Sequence, residues 1–223
     1  MNANDTQLAT RVGAWTALSG SACAVAGAAL GIASGADIDA SLTRQDMAGY
    51  LTTAGDHQAM LVANLVLWIA MVILMPIAAT AMTALSPKRP FLAQLARFWY
   101  WTGSPLVIAA FVAWLAIVIQ LAPDTSPDAV MVANTLGWFA SRADWIATVF
   151  FVGIGPTFLS MAGREDWVPS WLYQWGWLTA LAGGLTTVAM LTGGSGLTTY
   201  GFAIVPVGVG WMVAAGIVLI RRR

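Results

Sequence analysis

Six long apolar runs dominate this sequence, and none of them contains a lysine, arginine, aspartate or glutamate. A helix needs about 20 apolar residues to cross a hydrocarbon core roughly 30 Å thick, whereas a membrane β-barrel has short alternating segments. The pattern predicts an all-α integral membrane protein, a single domain over residues 1–223 built as a bundle of six transmembrane helices. The predicted spans are Val12–Ala33, Met60–Ala84, Trp101–Leu121, Trp145–Ala162, Trp171–Leu191 and Tyr200–Ile220.

The scarcity of charge supports this fold class. Only 9% of the residues are charged and 59% are apolar, whereas a soluble domain has roughly 25% charged residues. Lipid must therefore cover much of the surface, which makes the bilayer the first predicted partner. The net charge is zero, with no basic patch of the kind that a nucleic-acid partner requires.

Two of the runs have apolar extensions that make them too long for one crossing. Phe91–Tyr100 contains Gln94 and Arg97, and Asp128–Ala140 contains Asn134. Both extensions predict short interfacial helices, which precede spans three and four at the membrane surface or tilt into it.

The distribution of basic residues predicts the orientation. With the N-terminus inside, eight basic residues lie on the inner side and two on the outer side, so both termini are predicted to be cytoplasmic. The eight are Arg11, Lys88, Arg89, Arg97, Arg164, Arg221, Arg222 and Arg223; the two are Arg44 and Arg142. The first span is expected to be retained, because the apolar run continues well past Cys23 and Gly20 stands where a lipoprotein cleavage site usually has leucine.

Polar residues gather at the predicted outer ends of spans two and four. The candidates for ligand binding or proton handling are Asp56, His57, Asn64, Arg142 and Asp144. His57 beside a carboxylate can carry protons near neutral pH, and Asn64, seven residues later, shares its helix face. In the alternative interpretation Asp144 only complements the positive end of its own helix and pairs with Arg142 in the headgroup layer.

Three tryptophans lie deep within spans, at Trp68, Trp114 and Trp211. They are candidates for lining an apolar ligand pocket, with ordinary core packing as the alternative. Small residues at four-residue steps in the first span, Gly27 and Gly31 among them, predict a helix contact face.

The first outer loop, Ser34–Gln58, is long for a six-helix bundle. Met47, Tyr50 and Leu51 fall on one face of a short predicted helix that caps the outer mouth. Asp37 and Asp39 in the same loop are a candidate calcium pair, although two carboxylates make a weak signal.

The sequence contains no complete catalytic, metal-binding or cofactor-binding motif. The single histidine excludes haem ligation by two histidines and argues against a hydrolytic zinc site. The stretch around Ser195 matches the GxSG of rhomboid proteases, but no histidine follows it to serve as the base. Arg142 to Trp145 looks like part of a microbial rhodopsin motif, but the only lysine, Lys88, lies outside the spans, so no retinal Schiff base is predicted. The sequence predicts no catalytic residue, no metal and no cofactor.

Three features together resemble a bacterial six-helix membrane family classed only as a domain of unknown function. They are Thr10-Arg11-Val12-Gly13 opening span one, the long first outer loop, and Val168-Pro169-Ser170-Trp171-Leu172 followed by Gly176. The resemblance implies a helical bundle in the bacterial inner membrane. It has no catalytic residues to transfer to this chain.

These observations leave three hypotheses for the function. The favoured one is a non-enzymatic membrane module that binds a lipid-like or other apolar ligand, or that packs as an accessory subunit against another membrane protein or a second copy of itself. The second is a small-solute transporter that uses the outer polar cluster, although ionisable groups are missing from the span interiors where transporters place them. The third, an intramembrane enzyme, is the least favoured because catalytic groups are missing.

Overall fold

The computed structural model describes residues 2–192 and 196–222, and within these ranges the chain is almost entirely helical, without strands. The helices of the described chain are α1 (Ala3–Ser34), α2 (Ile38–Arg44), α3 (Met47–Asp56), α4 (Gln58–Ala84), α5 (Pro90–Ala116), α6 (Pro127–Thr148), α7 (Gly155–Gly163), α8 (Ser170–Thr192) and α9 (Gly196–Arg221). The π-helical segment Ile117–Leu121 continues α5, and a second one, Val149–Ile154, joins α6 to α7.

Five helical stretches of the described chain are long and apolar enough to cross a membrane. They are α1, α4, Pro90–Leu121, Pro127–Gly163 and Ile204–Arg221 of α9. The predicted all-helical bundle is thus confirmed, and every predicted span lies inside a helix or a pair of joined helices. The fifth predicted span, Trp171–Leu191, lies in α8, which is not among these five.

The short interfacial helices predicted before spans three and four are absent as separate elements from the part of the chain that the structure describes. Residues 91–100 belong to α5 and residues 128–140 to α6. Neither extension contains a proline, so the helical hydrogen bonds continue into the span. The stretch Pro90–Leu121 has 32 residues and is about 48 Å long at 1.5 Å per residue, so it exceeds the hydrocarbon core.

Small residues bring α1 against its two neighbours, α4 and α9. A Cβ atom on Gly27 would lie 3.2 Å from Trp68 Nε1, and one on Gly31 would lie 3.0 Å from Asn64 Nδ2, both on α4. On the other side of α1, the Ala14 carbonyl oxygen would lie 3.2 Å from a Cβ on Gly216 of α9. The predicted contact face on α1 is therefore present, because these glycines allow the backbones to approach closely.

At one end of the bundle the charged loops and the C-terminal residues meet, and we call it the charged end. Arg89 Nε donates to Glu165 Oε1 at 3.0 Å, and Lys88 Nζ donates to the Glu165 carbonyl oxygen at 2.9 Å. Arg222 Nη1 donates to the carbonyl oxygen of Asp166 at 2.6 Å. These bonds join the α4–α5 loop, the α7–α8 loop and the last residues of the described chain.

The opposite end is overlaid by α2 and α3, and we call it the covered end. Each short helix has an aspartate N-cap: Asp37 accepts from the Ala40 amide at 2.9 Å and Asp46 from the Gly49 amide at 3.0 Å. Met47, Tyr50 and Leu51 of α3 are buried, which confirms the predicted helix and its apolar face. The sequence order of caps and apolar residues therefore makes this loop a lid of two packed helices.

The π-helical segment between α6 and α7 accommodates Pro156, which cannot donate a backbone hydrogen bond. Thr157 and Thr179 hydroxyls both donate to the Gly153 carbonyl oxygen at 3.0 Å. Side chains of α7 and α8 thus both bond to the backbone of the π-helical segment. The segment also places Phe151 and Val152 toward the interior of the bundle, where they are buried.

Candidate functional site

A cavity of about 740 Å³ lies at the covered end, among α1, α4, α5, α6 and α9 and beside α2 and α3. Its lining is mostly apolar and includes Ala28 of α1, Leu65 of α4 and Val209 of α9. The volume falls within the range of roughly 300–1,000 Å³ that is typical of sites for small organic ligands. The cavity is therefore the first candidate for a functional site.

The cavity exists because α1 and α9 are in close contact only toward the charged end. There a Cβ on Gly216 would lie 2.9 Å from Leu18 Cγ, whereas toward the covered end α1 lines the cavity with small residues such as Ala24 and Ala28. Val25 and Ile32 also line the cavity, yet they are 63% and 71% exposed. The cavity consequently reaches the outer surface of the bundle beside α1.

A second cavity of about 200 Å³ adjoins the first and extends deeper into the bundle. The two share Trp68, Trp114 and Trp145 in their linings. The deeper cavity is otherwise lined largely by apolar side chains, including Phe151 of the π-helical segment, and Asp144 is the charged residue in its lining. The shared tryptophans therefore lie between the larger cavity, which is at the covered end, and the smaller cavity, which is deeper in the bundle.

Two of the three tryptophans predicted to line a pocket lie in these cavity walls. Trp68 and Trp114 flank Phe111, with ring centroids 6.1 Å and 5.4 Å from it. Trp211 instead is fully buried among α8 and α9, where its indole N–H donates to the Leu172 carbonyl oxygen at 3.0 Å. Trp211 is absent from the linings of both cavities, so its place in the structure is that of a packing residue.

Two carboxylates at the start of α2 border the larger cavity, and we call Asp37 and Asp39 the acidic roof. Trp145 Nε1 donates to Asp39 Oδ2 at 3.2 Å, which ties the roof to α6. Burial raises the pKa of the Asp39 carboxyl, and the charge of Asp37 acts in the same direction, while hydrogen bonds from Ser141 and Trp145 oppose the shift. Ionised Asp39 is thus held in surroundings that disfavour its charge.

The roof also affects Tyr50, which lines the same cavity from α3. Burial raises the pKa of its phenol, and the charges of Asp37 and Asp39 raise it further. Tyr50 therefore stays neutral and contributes a hydroxyl group near the two carboxylates.

Two of the five predicted polar residues line the cavities. Asn64 is buried in the wall of the larger cavity, and its Nδ2 donates to the Gly27 carbonyl oxygen at 2.6 Å. Asp144 lines the smaller cavity and is half-buried. Within the described residues Asp144 has neither a hydrogen bond nor an ion pair, so the pair with Arg142 that the alternative interpretation requires is absent.

The other three predicted residues lie outside both cavities. The Arg142 guanidinium stacks over the Trp138 ring at 4.6 Å from its centroid. Asp56 is exposed at the end of α3, and His57 occupies the junction with α4, where its Nδ1 lies 3.2 Å from the Thr53 carbonyl oxygen. His57 therefore precedes the helix whose face it was predicted to share with Asn64.

Sequence reasoning missed the contact between Asp39 and Trp145, which are 106 residues apart in the chain. The sequence predicts Asp39 only as half of a calcium pair with Asp37, and in the structure Asp37 is the N-cap of α2. Among the described residues no group of three or more histidine, cysteine, aspartate or glutamate side chains is placed to hold a metal ion. The one feature of the sequence that points to this contact is the apolar face of α3, because it predicts that the loop Ser34–Gln58 folds over the bundle.

The site combines an apolar, tryptophan-walled interior with carboxylates at its covered end, an arrangement that is complementary to an amphiphilic molecule. Its apolar interior can bury the hydrocarbon portion of such a molecule, and its carboxylates can make electrostatic contacts with the polar portion. Comparisons of this chain with protein-family models, with curated proteins and with solved structures find no match.

Proposed function

We propose that this chain is a bacterial inner-membrane protein of six transmembrane helices that binds a lipid-like molecule in the larger cavity, without catalysing a reaction on it. The observation that carries the proposal is the apolar cavity whose wall residues Val25 and Ile32 are also exposed on the bundle surface. In a six-span arrangement that surface faces acyl chains, so a lipid-like molecule can enter sideways from the bilayer. The same layout agrees with the resemblance to the bacterial six-helix family.

The sixth crossing in this proposal is α8. It has 23 residues, which span about 35 Å at 1.5 Å per residue, more than the hydrocarbon core requires. It contains no charged residue and exposes Leu178, Leu181 and Leu185. An even number of crossings places both termini on the side of the charged end, which the excess of basic residues assigns to the cytoplasm.

Cysteine accessibility tests this topology. In a Cys23→Ser background, we expect Thr125→Cys, which is exposed in the α5–α6 connection, to react with a membrane-impermeant maleimide in intact cells. Asn4→Cys and Arg221→Cys, near the two termini, should react only after the membrane is permeabilised. Opposite accessibility of these two terminal positions would contradict six crossings.

The cavity is better suited to a lipid-like molecule than to a small polar solute. Most of its lining is apolar, and its polar groups are confined to a few positions, including the acidic roof, Tyr50 and Asn64. The side-chain nitrogen of Asn64 already donates a hydrogen bond to the Gly27 carbonyl oxygen. A hydrocarbon portion therefore gains the most from entering, because it is shielded by aromatic and aliphatic side chains on several helices.

A cavity-filling variant tests the binding. Ala28→Phe places a ring in the larger cavity, where it occupies space that the ligand would fill. A loss of about 1.4 kcal/mol in binding free energy weakens the affinity about tenfold, so we expect the amount of co-purified lipid to fall about tenfold. The measurement is native mass spectrometry of the protein released from mild detergent. Ala26→Phe is the matched control, since Ala26 is exposed on the same helix and does not line the cavity.

Retention of the same bound species by Ala28→Phe and by the unaltered chain would overturn the binding function. A protein that carries no bound amphiphile in any form would do so as well. Loss of the bound species in both phenylalanine variants would also contradict it, because the effect would then not belong to the cavity.

A further inference from the structure

The charged residues that line the two cavities are all acidic in the described chain. Asp37 and Asp39 line the larger cavity and Asp144 lines the smaller one, while no lysine, arginine or histidine lines either. Arg142, two residues before Asp144, stacks its guanidinium over the Trp138 ring and acts electrostatically on Asp39, but it lines neither cavity. The described linings therefore contain acidic side chains and no basic one.

Carboxylates in such surroundings favour a positively charged ligand. Asp39 accepts a hydrogen bond from Trp145, and Asp144 is the residue before Trp145 in α6, so the two carboxylates lie in the linings of adjoining cavities. Withdrawal of carboxylates from water is costly unless a counter-charge accompanies them. A ligand with a positive group supplies that counter-charge, whereas an anionic headgroup adds repulsion.

The aromatic walls point to the same kind of group. Trp145, which bonds to Asp39 through its indole nitrogen, lines both cavities together with Trp68 and Trp114. The faces of tryptophan rings attract ammonium groups, and this attraction grows when water is excluded. Carboxylates and indole rings thus meet at the boundary between the two cavities.

We propose that the ligand is an amphiphile with an ammonium group, which binds beside Asp39 and Asp144 against the tryptophan walls, while its hydrocarbon chain occupies the apolar part of the larger cavity. This inference rests on the binding function proposed above. Two kinds of ligand have such an ammonium group: a simple alkylammonium compound and a lipid with a zwitterionic headgroup. The lipid headgroup also contains a phosphate, and the alkylammonium compound does not.

The test compares detergents that share a dodecyl chain. The full chain in a non-ionic amphipol is titrated with dodecyltrimethylammonium, dodecylphosphocholine or dodecyl maltoside below their micellar concentrations, and binding is followed by calorimetry. We expect dodecyltrimethylammonium to bind about tenfold more tightly than dodecyl maltoside, because its positive charge is attracted by the carboxylates and the tryptophan rings and the maltoside is neutral. Dodecylphosphocholine binding as tightly as dodecyltrimethylammonium would identify a lipid headgroup as the source, and weaker binding would identify a free ammonium group.

Asparagine variants localise the effect. The double variant Asp39→Asn with Asp144→Asn should lose about tenfold in affinity for dodecyltrimethylammonium and keep its affinity for dodecyl maltoside, because the amides preserve shape but remove charge. Asp56→Asn, an exposed aspartate outside both cavities, is the control and should bind like the unaltered chain.

Two results separate the failure of this inference from the failure of the binding function. Equal affinity for the cationic and the neutral detergent, abolished for both by Ala28→Phe, would overturn the ammonium preference and leave the cavity as a lipid site. Binding of both detergents that Ala28→Phe leaves unchanged would overturn the two proposals together.

Discussion

Replacement of Gly208 by alanine is expected to destabilise the protein severely. Gly208 lies in α9 against the π-helical segment, and an added Cβ would overlap Val152 Cβ and lie 2.5 Å from the Val152 carbonyl oxygen and 2.7 Å from its Cα. Backbone atoms cannot rotate away as a flexible side chain can, so the helices must separate. Overpacking of well-packed cores typically costs about 1–3 kcal/mol, and we expect this substitution at or above the upper end.

Thermal unfolding of the detergent-purified protein, followed by size-exclusion chromatography with fluorescence detection, measures the effect. Gly184→Ala in α8 is the matched control, because nothing lies within 4 Å of the position its Cβ would occupy. We expect Gly184→Ala to behave like the unaltered chain and Gly208→Ala to lose most of its monodisperse peak. Similar midpoints for the two variants would mean that α9 is not in contact with the π-helical segment.

Substitution of Trp167 by alanine is expected to cost about 3–5 kcal/mol, the range for removal of a large buried aromatic side chain. Trp167 is 2% exposed in the loop between α7 and α8. Its indole nitrogen donates to Ser86 Oγ at 2.9 Å, and its ring lies 6.4 Å from that of Trp211. One side chain thus joins two loops of the charged end to α9, so its loss opens a cavity where three parts of the chain meet.

Two further variants separate the contributions of Trp167. Trp167→Phe keeps most of the ring and loses the hydrogen bond to Ser86, so a smaller loss of about 1 kcal/mol plus a packing contribution is expected. Trp171→Ala removes a tryptophan that is 51% exposed four residues later, and its thermal midpoint should change little. The interpretation fails if Trp171→Ala lowers the midpoint as much as Trp167→Ala.

The helices and the buried face of α3 could be predicted from the sequence. Uncharged apolar runs predicted the long helices, and the three-residue spacing of Met47 and Tyr50 predicted the buried face of α3. The depth of Trp68 and Trp114 within their spans predicted two residues of the cavity wall. These features depend on neighbours within one or two helical turns, so hydropathy and periodicity are sufficient to detect them.

The candidate site was only partly predictable, because it depends on which helices are neighbours. The sequence predicts Asn64 and Asp144 as site residues, but it groups His57 and Asp56 with them because all lie near the predicted outer ends of spans, and the structure leaves His57 and Asp56 outside the cavities. Periodicity also could not distinguish Trp211, which packs between helices, from Trp114, which faces empty space. Both are apolar aromatic residues at similar depth, and only the packing around them differs.

The sequence by itself determined that the chain forms long apolar helices with a helical cap over one end, because these properties follow from local composition. Only the tertiary structure decided that α1 and α9 diverge to leave a cavity and that Asp39 meets Trp145 across 106 residues. Such contacts arise when separate helices pack, and the shape of the space between them depends on every neighbouring side chain at once. No local pattern in the chain encodes that shape.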